Sequence, residues 1–239
     1  MRVCTLFRLS LLMGCTFGFP ALGRAECINT PGVPCAERVW LPCGINLVGH
    51  NGGTLADPLG EFTVTLADWG NNPIPGADVW LDFSACCDDI RLASVQYGPG
   101  LFLGPGKTVH CMTDAHGVAR FRIMGAATAS SSTPGLGCAE VWARNEGVSV
   151  LLTDGVSRPK PTVGAFDLDG ALPGGAGVGP SDLSLWEADF FSSLNPFRSD
   201  YDFSVLCVRS VGPSDLAKWL QVFFGGGSVG NGAAFVACP

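Results

Sequence analysis

The chain has 239 residues, a formal charge of −7, and only 15% charged residues against 47% hydrophobic ones. That length leaves room for two domains and a sizeable core, and the acidic balance excludes a basic nucleic-acid surface. With 33 Gly and 11 Cys, turn-rich β structure outside the cytosol is favoured over a cytosolic helical enzyme.

Residues 1–25 read as a secretory signal peptide. Arg2 and Arg8 supply the positive start, Leu9 to Leu22 the apolar stretch, and Gly23-Arg24-Ala25 the small-residue flank, so the mature chain is expected to begin at Glu26. The apolar run is too short and too interrupted by Gly and Pro to span a membrane. Leu12-Met13-Gly14-Cys15 offers a competing lipoprotein cleavage box, which would anchor the chain by a lipid at Cys15. Ordinary secretion is favoured over it, because the apolar region before Cys15 is short and continues beyond it.

A Cys-rich segment, 26–42, follows. Cleavage leaves nine Cys, which default to disulfides in an exported protein, with one thiol left over. Cys207 and Cys238 are natural partners in the C-terminal part. The vicinal Cys86 and Cys87 are expected to reach different strands, and the remaining pairing is open.

From 43 to 157 the period is that of strands. Ile45 and Leu47 alternate; so do Phe62, Val64 and Leu66, then Val79, Leu81 and Phe83. Thr108 to Thr113 runs into the turn Asp114-Ala115-His116-Gly117. Ala119, Phe121 and Ile123 point inward, between Arg120 and Arg122 pointing out. Val141 and Ala143, then Val148, Val150 and Leu152, flank a turn at Asn145-Glu146-Gly147. Six or seven short strands without a long helical stripe predict a mainly β fold, a β-sandwich.

The segments Phe62 to Val79 and Thr113 to Ile123 resemble bacterial Ig-like domains of the invasin and intimin type. There a strand ends in Asp before a Gly-Asn-Pro turn, and a later strand follows a Thr-Asp-x-x-Gly turn. The resemblance covers roughly 43–157 and departs in the Cys-rich stretch between Phe83 and Thr108. It implies a spacer or adhesive module without catalytic residues, so Asp114 and His116 read as turn residues.

Arg158-Pro159-Lys160-Pro161 opens a short stiff linker, 158–166. Beyond it the chain is written twice. Asp167-Leu168-Asp169, Val178-Gly179-Pro180-Ser181-Asp182-Leu183, Trp186 and Phe190-Phe191 return 33 residues later as Asp200-Tyr201-Asp202, Val211 to Leu216, Trp219 and Phe223-Phe224. Eleven of the 25 aligned positions are identical, which marks a duplicated unit. Each copy is an acidic loop feeding a helix that opens at Pro-Ser-Asp, with Leu, Trp and Phe forming one apolar stripe. Residues 167–226 hold eight acids and three bases. Asp-x-Asp ahead of a helix-opening carboxylate is how a calcium loop is laid out, because hard cations want several oxygen ligands.

This repeat resembles the dockerin type I module, a pair of calcium-loop-plus-helix units of secreted bacterial proteins. The resemblance implies a small α-helical module with paired EF-hand-like loops over 167–226. It would place Asp167, Asp169 and Asp182 as calcium ligands of one loop, and Asp200, Asp202 and Asp215 as those of the other. Both loops run 16 residues, longer than the usual dozen, with Ala171 and Ser204 at the third ligand position. Weak calcium binding is expected. A Gly-rich tail, 227–239, ends near Cys238.

Catalytic motifs do not emerge. Ser157-x-x-Lys160 lies in the Pro-rich linker, and Gly49-His50-Asn51-Gly52-Gly53 has no nucleophile beside it. His110-Cys111 with His116 lacks a zinc frame. The reading is a secreted, non-catalytic, two-module protein for attachment or assembly, on a protein partner such as a cohesin-like receptor or on a surface glycan. One rival is a structural surface protein whose repeat is a stabilising cap. The other is an accessory subunit of a polysaccharide-degrading complex docked through the repeat.

Overall fold

The computed structural model describes residues 27–49, 56, 58–86, 89–96, 98, 100–128, 137–153, 158–170, 177–192, 198–201 and 211–224. The signal segment 1–25 with Cys15, Cys87, Asp202, the expected Cys207–Cys238 pair and the tail 227–239 lie outside the described residues.

The fold is mainly β. In chain order the strands are β1 (Gly44–Leu47), β2 (Glu61–Thr65), β3 (Asp78–Asp82), β4 (Ile90–Leu92), β5 (Leu101–Leu103) and β6 (Thr108–Met112). Then come β7 (Val118–Arg122), β8 (Gly125–Ala127), β9 (Glu140–Asn145), β10 (Val148–Leu151) and β11 (Thr162–Ala165). Two α-helices follow, α1 (Pro180–Ser192) and α2 (Pro213–Phe224). No helix among the described residues is long and apolar enough to cross a membrane.

Five strands form one sheet in the order β10-β9-β3-β6-β5, while β2-β7, β4-β8 and β1-β11 form pairs. All neighbours are antiparallel except β1 and β11, which run parallel with Gly44 opposite Thr162 and Leu47 opposite Ala165. Period-two alternation sends one face of each strand inward. Val79, Leu81, Val109, Val141 and Ala143 from the large sheet are fully buried, as are Val64, Ala119 and Phe121 from β2 and β7. The expected register holds: Phe62 stacks on Phe121 at 5.2 Å, and Arg120 stays out in solvent, 3.8 Å from Glu61.

The turns have identifiable chemistry. The Asp114 carboxylate accepts the backbone N–H groups of His116 and Val118, and those bonds hold its pKa below the ordinary carboxylate value. Gly117 sits at φ 72°, where a Cβ would come within 2.6 Å of the Leu66 carbonyl oxygen.

The stretch expected to be a linker instead contains β11, and the chain after it is built into the β core. Phe166, Leu168, Trp186, Tyr201 and Trp219 belong to the same buried cluster as Ile45, Leu47 and Phe121. Polar contacts follow: Trp219 Nε1 donates to the Phe166 carbonyl at 3.2 Å and the Tyr201 hydroxyl to that of Ala165 at 3.0 Å. Disulfides join Cys27 to Cys35 and Cys86 to Cys138, so Cys86 does leave its vicinal neighbour for a distant segment. Cys43 is also disulfide-bonded. Cys111 is free and buried, and desolvation pushes its thiol pKa up.

Truncating Phe121 to Ala is expected to cost about 3–5 kcal/mol, and Arg120→Ala no more than about 0.5 kcal/mol. Chemical denaturation of the two variants checks this. Equal losses would contradict the burial assigned to the strand.

Candidate metal centre

Each helix of the repeat opens in the same way. Pro180 and Pro213 take the first helical position, where a missing N–H costs nothing, and Asp182 and Asp215 fall in the first turn. A carboxylate there faces the positive end of the helix dipole. Asp182 Oδ2 accepts the Gly179 N–H at 2.7 Å, reaching back to the residue before the helix. Its Oδ1 accepts the N–H of Leu168 at 2.6 Å and of Asp169 at 3.0 Å. One buried carboxylate thus clasps a helix start to the Asp-x-Asp loop. Asp215 does the same in the second copy, taking the N–H of Gly212 at 2.8 Å and of Tyr201 at 2.6 Å.

In the first loop the expected residues converge. One carboxylate oxygen each from Asp167, Asp169 and Asp182 lies within 4.8 Å of the others. Asp167 is 7% exposed, and its Oδ1 accepts the Gly170 N–H at 2.9 Å. The loop is anchored from outside: Arg91 on β4 donates to the Gly170 carbonyl at 2.9 Å, and the Ala127 N–H to that of Asp167 at 2.8 Å. Burial first, then the neighbouring Asp182 charge, pushes the Asp167 pKa up to about 7. Asp182 is raised as well, mainly by desolvation against the pull of its N–H donors.

The donor set fits a hard cation. Three carboxylates are held together at a largely buried point where at least one resists ionising, and a divalent ion would relieve that repulsion. Asp182 contributes least, since three backbone donors already occupy most of its lone pairs.

The second loop is described in part. Asp200 and Asp215 are fully buried, and Asp202 lies outside the described residues. One of the charges that differ from the first copy lies on α2 beside the loop. Lys218, where the first copy has Leu185, donates to the Tyr201 carbonyl at 3.0 Å. Asn46 donates to that carbonyl at 3.3 Å.

Two features escaped the sequence reading. Arg91 carried no signal, because it lies in the Cys-rich stretch without a family pattern. The buried cluster of Asp189 with Arg198 at 2.7 Å and Ser199 at 2.6 Å breaks the repeat, since Val222 stands at the Asp189 position, and that asymmetry was its one available clue. Family models, curated proteins and solved structures yield no match to the chain, and its chemistry is read from its own residues.

Two expectations follow. Asp182→Ala strands three backbone N–H groups, two of them in buried bonds, and is expected to cost on the order of 3–5 kcal/mol even in chelator, with Asp169→Ala nearer 1 kcal/mol or less. Thermal melts in chelator compare them. The second concerns pH. An Asp carboxyl near 3.9 unfolded and about 7 folded leaves the native chain holding the extra proton between those values. Stability is therefore expected to fall as pH rises through roughly 4 to 7. The groups facing Asp167 are Asp169, Asp182 and, through Gly170, Arg91. In chelator, Asp167→Asn should flatten that slope; an unchanged slope would place the titration elsewhere.

Proposed function

We propose that this is an exported, non-catalytic modular protein: an Ig-like β-sandwich carrying a dockerin-like pair of calcium loops, used for attachment or assembly outside the cell. The observation that carries the reading is the doubled clasp. Two equivalent carboxylates, Asp182 and Asp215, hold two equivalent acidic loops against two helix starts. Asp167 and Asp169 would supply the ligands of the first loop, and Asp200 and Asp202 those of the second. Bound calcium would neutralise the clustered carboxylates and stiffen the loops that aim the helices. Disulfides at Cys27–Cys35 and Cys86–Cys138 suit an oxidising compartment.

The rival with an observation behind it is the structural cap. Trp186 and Trp219 are 3% and 1% exposed, and the repeat shares the core of the strands, so its stripes serve folding whatever the loops bind. Phe191 and Phe224, each 77% exposed at equivalent positions of the two copies, support a partner beyond the cap.

Calorimetric titration of the full chain with calcium tests the reading. Binding is expected at about 10⁻⁴–10⁻³ M, the extracellular range, with the second loop, which has Lys218 of α2 against its Tyr201 carbonyl, the weaker. Calcium at about 100 times the dissociation constant should add about 2.7 kcal/mol of stability. Asp167→Ala and Asp200→Ala should each remove one site. No binding heat, with identical melting in chelator and millimolar calcium, would leave the cap.

A further inference from the structure

The outward face of the five-stranded sheet is not the polar surface expected of a sheet facing water. One row crosses all five strands. Phe102 on β5 lies opposite His110 on β6, His110 opposite Trp80 on β3, Trp80 opposite Trp142 on β9, and Trp142 opposite Leu151 on β10. None of the five is buried, and Phe102 is 56% exposed. At about 4.8 Å between strands, the row is roughly 19 Å long.

The row is held in place. Trp80 stacks on His110 with ring centres 4.1 Å apart and planes 11° from parallel, and Phe102 leans on His110 at 5.4 Å. The ring nitrogens are tied to carboxylates. Trp80 Nε1 and His110 Nδ1 both meet Asp78, the latter at 2.9 Å, while Trp142 Nε1 donates to Glu140 at 3.4 Å. Gly104 leaves the space that Trp80 uses, for a Cβ there would sit 2.9 Å from Trp80 Cζ3.

We propose that this row is a binding face for an uncharged polysaccharide chain. Sugar rings present flat C–H faces that pack on aromatic rings, and hydroxyl groups that donate to carboxylates. The sheet offers both in alternation, with Asp78 and Glu140 each keeping lone pairs beyond those engaged by the indoles, His110 and Lys160. Charge complementarity points the same way. Asp78, Asp82 and Glu140 are offset on this face by Arg144 and by Lys160, which pairs with Glu140 at 2.7 Å. A nearly neutral face holds no field for a cationic peptide or an anionic chain, and suits a partner without charge. Rings already fixed in place lose little freedom on binding. This goes beyond the calcium reading and does not depend on it.

The test is retention of the full chain on insoluble β-1,4-glucan, chitin, xylan and mannan, each in chelator and in millimolar calcium. Retention on at least one is expected in both conditions, so failure of the calcium loops would not mask it. Phe102→Ala, at an exposed site that leaves folding intact, and Trp142→Ala should each weaken association by at least about fivefold. Trp69→Ala, an exposed tryptophan on a turn, should change it less than about twofold. Four results would each overturn the proposal. They are no retention on any of the four, retention equal in wild type and both row variants, retention abolished by about 1 M salt, and self-association of the chain that the row variants abolish.

Discussion

The C-terminal half of this protein depends on one interaction made twice: a carboxylate in the first turn of a helix accepting backbone N–H groups from a loop far back in the chain. Asp182 and Asp215 are fully buried, which is costly for a charge unless donors surround it. Here the donors are the helix start and the loop. The helix cannot shift without stranding the carboxylate, and the loop cannot open without exposing it. With the clasps in place, Trp186 and Trp219 fall against Phe166, Tyr201 and the strands, and the helices become part of the main core.

The same geometry explains why the first loop holds its acids at so uneasy a distance. The backbone bonds that fix Asp182 also fix Leu168 and Asp169, and through them Asp167. The carboxylates cannot relax apart, so burial and the neighbouring Asp182 charge fall on Asp167. A structural clasp and a cation-ready cluster are therefore one arrangement with two consequences. Arg91 restrains the loop from the side through the Gly170 carbonyl.

Much of this was legible in the residues, and the gaps have physical causes. Period two placed Val64, Leu81 and Phe121 inward, because one face of each strand meets the core. The 33-residue repeat placed both helices and both loops. The strands β4, β5 and β8 were missed because three residues are too few for a period, and β11 because Lys160-Pro161 reads as a linker. Its pairing with β1 is a long-range event that local sequence does not carry. Asp182 was read as a helix opener and as a calcium ligand, and its three backbone partners add a clasp that the sequence did not carry. The row through Trp80 and Trp142 was hidden for a different reason. Alternation identifies the inward set but does not say what outward aromatics are for, and only the register across strands aligns them.

The parallel pairing of β1 with β11 also sets the order of events in the life of the chain. Gly44 meets Thr162 only after every intervening strand has been made, and contacts so distant in sequence form late and slowly. Until then β1 presents an unpaired edge, and its core residues, Ile45 and Leu47, have no lid. Such a chain cannot complete its β1 pairing until β11 is made. It locks when its last third arrives, so a copy truncated before β11 would lack the strand that seals its own beginning.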